Sequence, residues 1–408
     1  MLEKLNKKFK NDKYMKIILK NNEEKRILSG HQWIFSNEIE RTEDYSENGQ
    51  IAELFTSFGK FIGKGFYNKN SLIAYRHLTE KYDEKIDGNF IFKRLSAANS
   101  LRRKKLNAGE VYRLANSESD FLPGLIIDKF ENKYSIQIFS AGMELLKMEI
   151  TEVLKNNFKA DFIIEKNDNE IRTLEGLERK EEVLFDKTGT SQKEFLTELD
   201  GIKIYIDLVN GQKTGYYLDQ QENRILLRKY IKPGDNVLDL FCNEGGFALN
   251  AAFAGAEKVT ATDSSEHSIK MCKRNSGING FTNTDFIKAD VFEFLNDGFQ
   301  KTERFDFIIL DPPSFTKSRK NVYAAIKGYT ELNYKAMKLL KPNSFLFTFS
   351  CSHHISEKAF EEMLIQSAEK AGRSIQIIEF RNSSFDHPVL PQMSETKYLK
   401  GYLLRVNV

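Results

Sequence analysis

The 408-residue sequence is poor in cysteine. Cys242, Cys272 and Cys351 are too few and too scattered for a disulfide framework or a zinc site. No run of eighteen or more apolar residues occurs, so no transmembrane helix and no membrane partner are expected. The opening Met1-Leu-Glu-Lys-Leu-Asn-Lys-Lys lacks the apolar stretch and small-residue cleavage site of a signal peptide. A cytoplasmic protein is expected. Net charge is only +3, so bulk electrostatics singles out no nucleic-acid partner. Internal repeats and low-complexity tracts are also missing.

What is present suits a globular chain of two or three domains, with 40% hydrophobic and 29% charged residues. The basic residues are unevenly spread. Residues 1–30 hold nine Lys or Arg against four Asp or Glu, and Arg102-Arg103-Lys104-Lys105 forms a second cluster. Such clusters attract phosphate backbones, or are simply solvated surface.

Three textures follow along the chain. Residues 14–84 alternate apolar and polar positions between glycine-rich turns, as in Met15-Lys-Ile-Ile-Leu19 and Gly63-Lys-Gly-Phe-Tyr67, which suits a small β-barrel. Residues 85–195 read as a small α/β module, with helices expected over Asn89–Asn107 and Gly142–Asn156. From 196 to 408, a hairpin precedes alternating strands and helices. Within the barrel, Trp33 is expected in the core, while Lys60, Lys64, Lys69 and Arg76 are placed to track a phosphate backbone.

The last stretch carries the chemistry. Val237-Leu-Asp-Leu-Phe241, then Cys242-Asn-Glu-Gly-Gly-Phe247, then an alanine-rich helix, is a strand, a tight glycine turn and a helix. Lys258-Val-Thr-Ala-Thr-Asp263 is a second strand, ending in an acid 24 residues after Asp239. A carboxylate there accepts ribose hydroxyls, and the glycines let the backbone approach the ligand. The phosphate-binding G-x-G-x-x-G is absent, and Asp239 would repel a pyrophosphate. A ligand with a positive amino group and no phosphates is favoured, and S-adenosylmethionine fits. Asp290 ends a third strand and would receive the adenine amino group, while Arg304-Phe-Asp-Phe-Ile-Ile-Leu-Asp311-Pro-Pro-Ser-Phe315 is a fourth. The expected cofactor set is Asp239, Phe241, Cys242, Gly245, Gly246, Asp263, Ser264, Asp290, Val291 and Asp311, with Thr214 and Gln220 beside it.

The strand end Asp311-Pro-Pro-Ser-Phe315 resembles the motif of methyltransferases that act on nucleobase and amide nitrogens, where an aromatic stacks on the target. A fifth strand, Pro342 to Ser350, ends in Cys351-Ser-His-His354 and places a thiol near the same rim. Carbon 5 of a pyrimidine is not nucleophilic until a thiolate adds to carbon 6. Cys351 is the candidate nucleophile, and Asp311, if protonated, would donate to nitrogen 3. Pro312, Phe315, Lys317 and Arg76 are candidate substrate contacts. His353 and His354 read as polar loop groups, and no metal is expected.

Seven ordered motifs then carry a resemblance over about residues 15–408. They are Ser29-Gly-His-Gln-Trp-Ile-Phe35, Asp120 to Asp128, Gln212 to Gln220, the turn 242–247, Asp311 to Phe315, Phe349-Ser-Cys-Ser352 and His387-Pro-Val-Leu-Pro391. The chain resembles bacterial ribosomal RNA large subunit cytosine-5 methyltransferases, which join a PUA domain to a methyltransferase domain. The resemblance implies an α/β fold class: a class I Rossmann-like methyltransferase domain, an N-terminal PUA β-barrel and a middle domain. It also implies Cys351 as nucleophile, S-adenosylmethionine as cofactor and 23S ribosomal RNA as partner. Arg224 and the 214–220 stretch look like the loop and helix start beside the cofactor in such enzymes. Glu244 departs from the pattern, since related sequences often carry a small or hydroxyl residue there. Two other readings stay open: an amino-group RNA methyltransferase built on Asp311 to Phe315, and a non-catalytic RNA-binding ribosome-assembly factor. The oligomeric state, a homo-oligomer included, is left open.

Overall fold

A computed structural model describes residues 14–105, 110–189, 194–209, 211, 214–298, 304–316 and 318–407. Lys317, Gln212 and Lys213 therefore lie outside the described residues. The chain divides into two compact units, the first formed by Met1–Lys193, Leu208–Gly215 and Pro388–Thr396, the second by Glu194–Asp207, Tyr216–His387 and Lys397–Val408.

In the first unit, six strands between Met15 and Thr79 form one sheet, with Trp33–Ile34 and Ile39–Glu43 at its edges. Alternation sends Met15, Ile17 and Leu19 inward to meet Ala52 and Leu54 from the neighbouring strand. A second sheet of five strands, Val111–Asn116 through Lys180–Asp186, follows chain order. It is covered by the helix Gly88–Arg103, whose Phe90, Ile91 and Leu95 share a core with Ile127, Ile136, Ile150 and Leu154. Asp87 starts that helix by accepting from the Asn89 and Phe90 amides, as an N-cap should. The helix expected over Gly142–Asn156 is two helices, Ala141–Leu145 and Lys147–Asn157, interrupted at Leu146.

Charge in this unit is more internal than its sequence suggests. Arg102, read as part of a basic patch, is fully buried, with both terminal nitrogens 2.6 Å from the Asp120 carboxylate. Arg76 is corrected in the same way. Its guanidinium is buried between Glu118 (3.1 Å) and Glu175 (2.9 Å), so both arms are engaged by carboxylates rather than presented at the surface. Lys64 is buried over the rings of Tyr14 and Tyr82, which leaves Lys60 and Lys69 as the exposed members of the expected set. Trp33 is half-buried rather than fully internal, and its indole N–H donates to the buried Glu118 at 2.9 Å.

The second unit holds the antiparallel hairpin Glu194–Leu199 and Ile202–Asp207 and, after it, a seven-stranded sheet. Its strands are β1 (Asn236–Leu240), β2 (Lys258–Asp263), β3 (Thr284–Lys288), β4 (Phe305–Leu310), β5 (Leu340–Ser350), β6 (Ser374–Arg381) and β7 (Lys400–Asn407), in the spatial order β3-β2-β1-β4-β5-β7-β6. The first five are parallel, and β7 runs antiparallel to both β5 and β6. Helices α1 (Gln221–Arg228), α2 (Gly246–Phe253), α3 (Glu266–Ile278), α4 (Val291–Gly298), α5 (Val322–Leu339) and α6 (Glu357–Ala371) accompany the sheet. Near-continuous apolar strands such as Phe-Asp-Phe-Ile-Ile-Leu in β4 are what burial on both faces demands. Leu238, Leu240, Ile308 and Leu310 form one core with Tyr329, Leu332 and Met337 of α5 and with Phe360 and Leu364 of α6. Chain order reverses between β1 and β4, so a crevice opens at the carboxyl ends of these strands.

Candidate cofactor and catalytic site

The parallel register brings the strand-end residues to one rim. Asp239 lies within β1, Asp263 closes β2, Asp290 follows β3 by two residues, Asp311 follows β4 and Cys351 follows β5. After β1 the chain makes a sharp turn: Phe241, Asn243 and Gly245 all have left-handed backbones, with φ of 64°, 47° and 85°. Asparagine and glycine tolerate that region, whereas a phenylalanine there is strained. The two thiols beneath hold the turn. Cys272 of α3 donates to the Asn243 carbonyl at 3.0 Å, and its sulfur lies 4.0 Å from that of Cys242. A side chain on Gly245 would begin 3.1 Å from the Cys272 sulfur. The role of Cys272 could not be seen in the sequence, where nothing marks a helix cysteine as the floor of a distant turn.

Asp239 is almost wholly buried. One carboxylate oxygen accepts from the Ala248 amide at 2.9 Å, and the other has no hydrogen-bond partner among the described residues. Burial pushes its pKa up to about 7; the Ala248 amide and Arg224 pull it down, and the charges of Asp311 and Asp263 add to the rise. Glu244 in the turn is buried too, has one oxygen with no hydrogen-bond partner among the described residues, and its pKa is pushed up to about 8 by burial and then by Asp207. Between them stands Arg224 of α1. It is buried over the ring of Tyr216 (4.6 Å), and its Nε and Nη1 have no hydrogen-bond partner among the described residues. Gly246 makes room for it, since a Cβ there would lie 2.5 Å from Arg224 Nε.

A buried guanidinium and a buried carboxylate, each with an unsatisfied polar atom, match a zwitterionic amino-acid group: carboxylate to Arg224, ammonium to Asp239. Asp263 accepts from the Asn243 and Ser265 amides at 3.0 and 2.9 Å, which orients its carboxylate at the strand tip where ribose hydroxyls would bind. These residues fit the methionine and ribose parts of S-adenosylmethionine.

Other expected residues fall less simply. Asp290 is exposed and accepts from the Phe292 and Glu293 amides at the start of α4; Val291 is buried and Ser264 exposed. Gln220 reaches Asp311, donating to its carboxylate at 3.0 Å. Thr214 belongs to the first unit, where its hydroxyl bonds to Asp128. Pro312 is buried, and Phe315 is half-buried, its ring 4.6 Å from that of Tyr329.

The two motifs expected to carry the reaction do meet. Ser314 and Ser352 are hydrogen-bonded through their hydroxyls at 2.9 Å, and Tyr329 of α5 bonds to Ser352 at 3.2 Å. Asp311 and Cys351 thus head adjacent strands with their following residues in contact. Cys351 is partly exposed, whereas Cys242 and Cys272 are buried.

A doubly wound sheet with this strand order, an acidic rim in place of a phosphate loop and a seat for an amino-acid zwitterion defines an S-adenosylmethionine-dependent methyltransferase. A methyltransferase-domain family model matches residues 231–395, and a PUA-like domain model matches residues 17–80. The chain is 36% identical over 396 residues to ribosomal RNA large subunit methyltransferase I of Aeromonas hydrophila subsp. hydrophila, covering 95% of this chain and 98% of that one. Against the Klebsiella pneumoniae enzyme of the same name it is 34% identical over 397 residues, covering 96% and 98%. The chain belongs to the ribosomal RNA large subunit methyltransferase I family. A solved SAM-dependent methyltransferase from Streptococcus mutans shares its fold, with a TM-score of 0.81 at 21% identity over 96% of this chain and 99% of that one. Another solved methyltransferase, complexed with SAH, gives 0.82 at 21% identity over 96% and 99%.

Proposed function

We propose that the chain forms 5-methylcytidine in 23S ribosomal RNA, with Cys351 as nucleophile and Asp311 as proton donor. The supporting observation is the Ser314–Ser352 hydrogen bond, which ties the loop after Asp311 to the loop after Cys351. In this reading the Cys351 thiolate adds to carbon 6 of cytosine, forming the C–S bond while the ring's π electrons move toward nitrogen 3. Asp311, oriented by Gln220, donates its proton there, and carbon 5 becomes electron-rich. S-adenosylmethionine, when bound, supplies an electrophilic methyl group. Carbon 5 then takes the methyl group, its own proton leaves to solvent as the C–S bond breaks and expels the thiolate, and nitrogen 3 returns its proton to Asp311 as the ring is restored.

Asp239, Arg224 and the turn through Gly245 and Gly246 would hold the amino-acid end of the cofactor. Asp263 would hold the ribose and Asp290 the adenine. Residues 14–84 form the RNA-binding module in this proposal, 85–195 a middle domain and 196–408 the catalytic domain. Lys60 and Lys69 are the barrel lysines left to meet phosphate. Among the described residues no helix is long and apolar enough to cross a membrane. We place the protein, like its substrate, in the cytoplasm. The test is methyl transfer from labelled S-adenosylmethionine to unmodified 23S RNA, followed by nucleoside analysis. The proposal expects 5-methylcytidine from wild type and none from Cys351→Ala. A methylated purine, or an active Cys351→Ala, would overturn it.

A further inference from the structure

The antiparallel pairing of β5 with β7 sets Lys400, the first residue of β7, opposite Ser350, the residue before Cys351. Lys400 is 5% exposed. Its ammonium donates to the Ser352 carbonyl at 3.0 Å and the Tyr398 carbonyl at 2.8 Å. The charge therefore sits against the backbone just beyond the thiol, and no carboxylate forms an ion pair with it among the described residues. A buried ammonium satisfied only by carbonyls is costly, and it gains from a nearby anion.

We propose that Lys400 is a positioning residue for Cys351, fixing the backbone after the thiol and supplying the positive charge that holds the sulfur as thiolate. The inference rests on the reading of Cys351 as nucleophile. Burial lowers the Lys400 pKa; the Cys351 thiolate and then Glu357 of α6 act to raise it, and Lys397 to lower it. The coupling is reciprocal, so a thiolate that favours the ammonium is favoured by it. Two acidic groups also act with Cys351: Tyr217 ahead of α1 and Tyr329 of α5. Each would oppose an anionic sulfur if ionised. His353, whose ring lies 5.8 Å from that of Tyr398, is a further nitrogen base on the same loop.

The experiment is iodoacetamide alkylation of the full-length protein across pH, with Cys351 followed by mass spectrometry of its peptide. Wild type should alkylate with a midpoint below the ordinary thiol value of about 8.5. Lys400→Met should raise that midpoint by about one unit and slow alkylation at neutral pH by up to about tenfold, and Lys400→Arg should restore most of it. A wild-type midpoint at or above the ordinary value would overturn the proposal, as would a folded Lys400→Met with an unmoved midpoint. Because the wild-type profile is decisive by itself, a Lys400→Met that fails to fold does not shield the idea. Methyl transfer surviving in Cys351→Ala would instead sink the nucleophile reading, and the alkylation profile separates that failure from this one.

Discussion

Asp239→Asn should stabilise the ligand-free protein while crippling its binding of cofactor product. The wild-type carboxyl is 1% exposed, and its pKa is pushed from 3.8 to about 7, first by burial. An acid whose folded pKa is raised holds its proton more tightly when folded. Its contribution is therefore neutral below the unfolded value, and stability is lost as pH rises from about 4 to about 7. A rise of that size corresponds to at most about 4 kcal/mol at pH 8, a cost that the amide does not carry. Binding runs the opposite way, because a ligand ammonium requires the ionised carboxylate. Affinity for S-adenosylhomocysteine should therefore rise roughly fifteenfold between pH 5.5 and pH 7 in wild type, and stay flat and weak in Asp239→Asn. Calorimetric titration at pH 5.5 and 7 and thermal melting at pH 8 measure the two effects. A variant less stable than wild type at pH 8, or wild-type affinity independent of pH, would refute the assignment of Asp239 to the ammonium.

Arg224→Gln should weaken S-adenosylhomocysteine binding by at least about tenfold, the value of a charge-assisted pair, yet spare 5′-methylthioadenosine, which lacks the amino-acid group. Equal losses for both ligands in competition titrations would count against a carboxylate contact. Gly246→Ala should cost about 1–3 kcal/mol in melting experiments or displace Arg224, since its Cβ would sit 2.5 Å from Nε; a variant with unchanged stability and affinity would contradict this. Arg76→Met should destabilise by about 3–5 kcal/mol, because Glu118 and Glu175 would be left buried without their cation. An unaltered melting temperature with weakened RNA binding would restore Arg76 as a phosphate contact.

The strand ends were readable because their signals are local. An apolar run closing in an acid, as at Asp263 or before Asp311, fixes both the strand and the end that faces a ligand. The glycine turn was legible for the same reason. Arg76 and Arg102 show where such reading fails: sequence shows the sign of a charge but not that Glu118, Glu175 or Asp120 will fold against it. Arg224 was marked by resemblance, but its unpartnered nitrogens over Gly246 depend on how α1 meets the turn. Lys400 escaped altogether. Its place beside Cys351 comes from an antiparallel pairing between strands about fifty residues apart, which no local pattern announces.

The most direct test of the account is to trap its covalent step. RNA carrying 5-fluorocytidine at the target has no carbon 5 proton to lose, so the thiolate cannot leave after methylation. Incubated with S-adenosylmethionine, wild type should form a denaturation-resistant RNA adduct whose mass maps to the Cys351 peptide, and Cys351→Ala should form none. Methylated RNA with no adduct, or an adduct at another residue, would contradict the claim that Cys351 is the nucleophile.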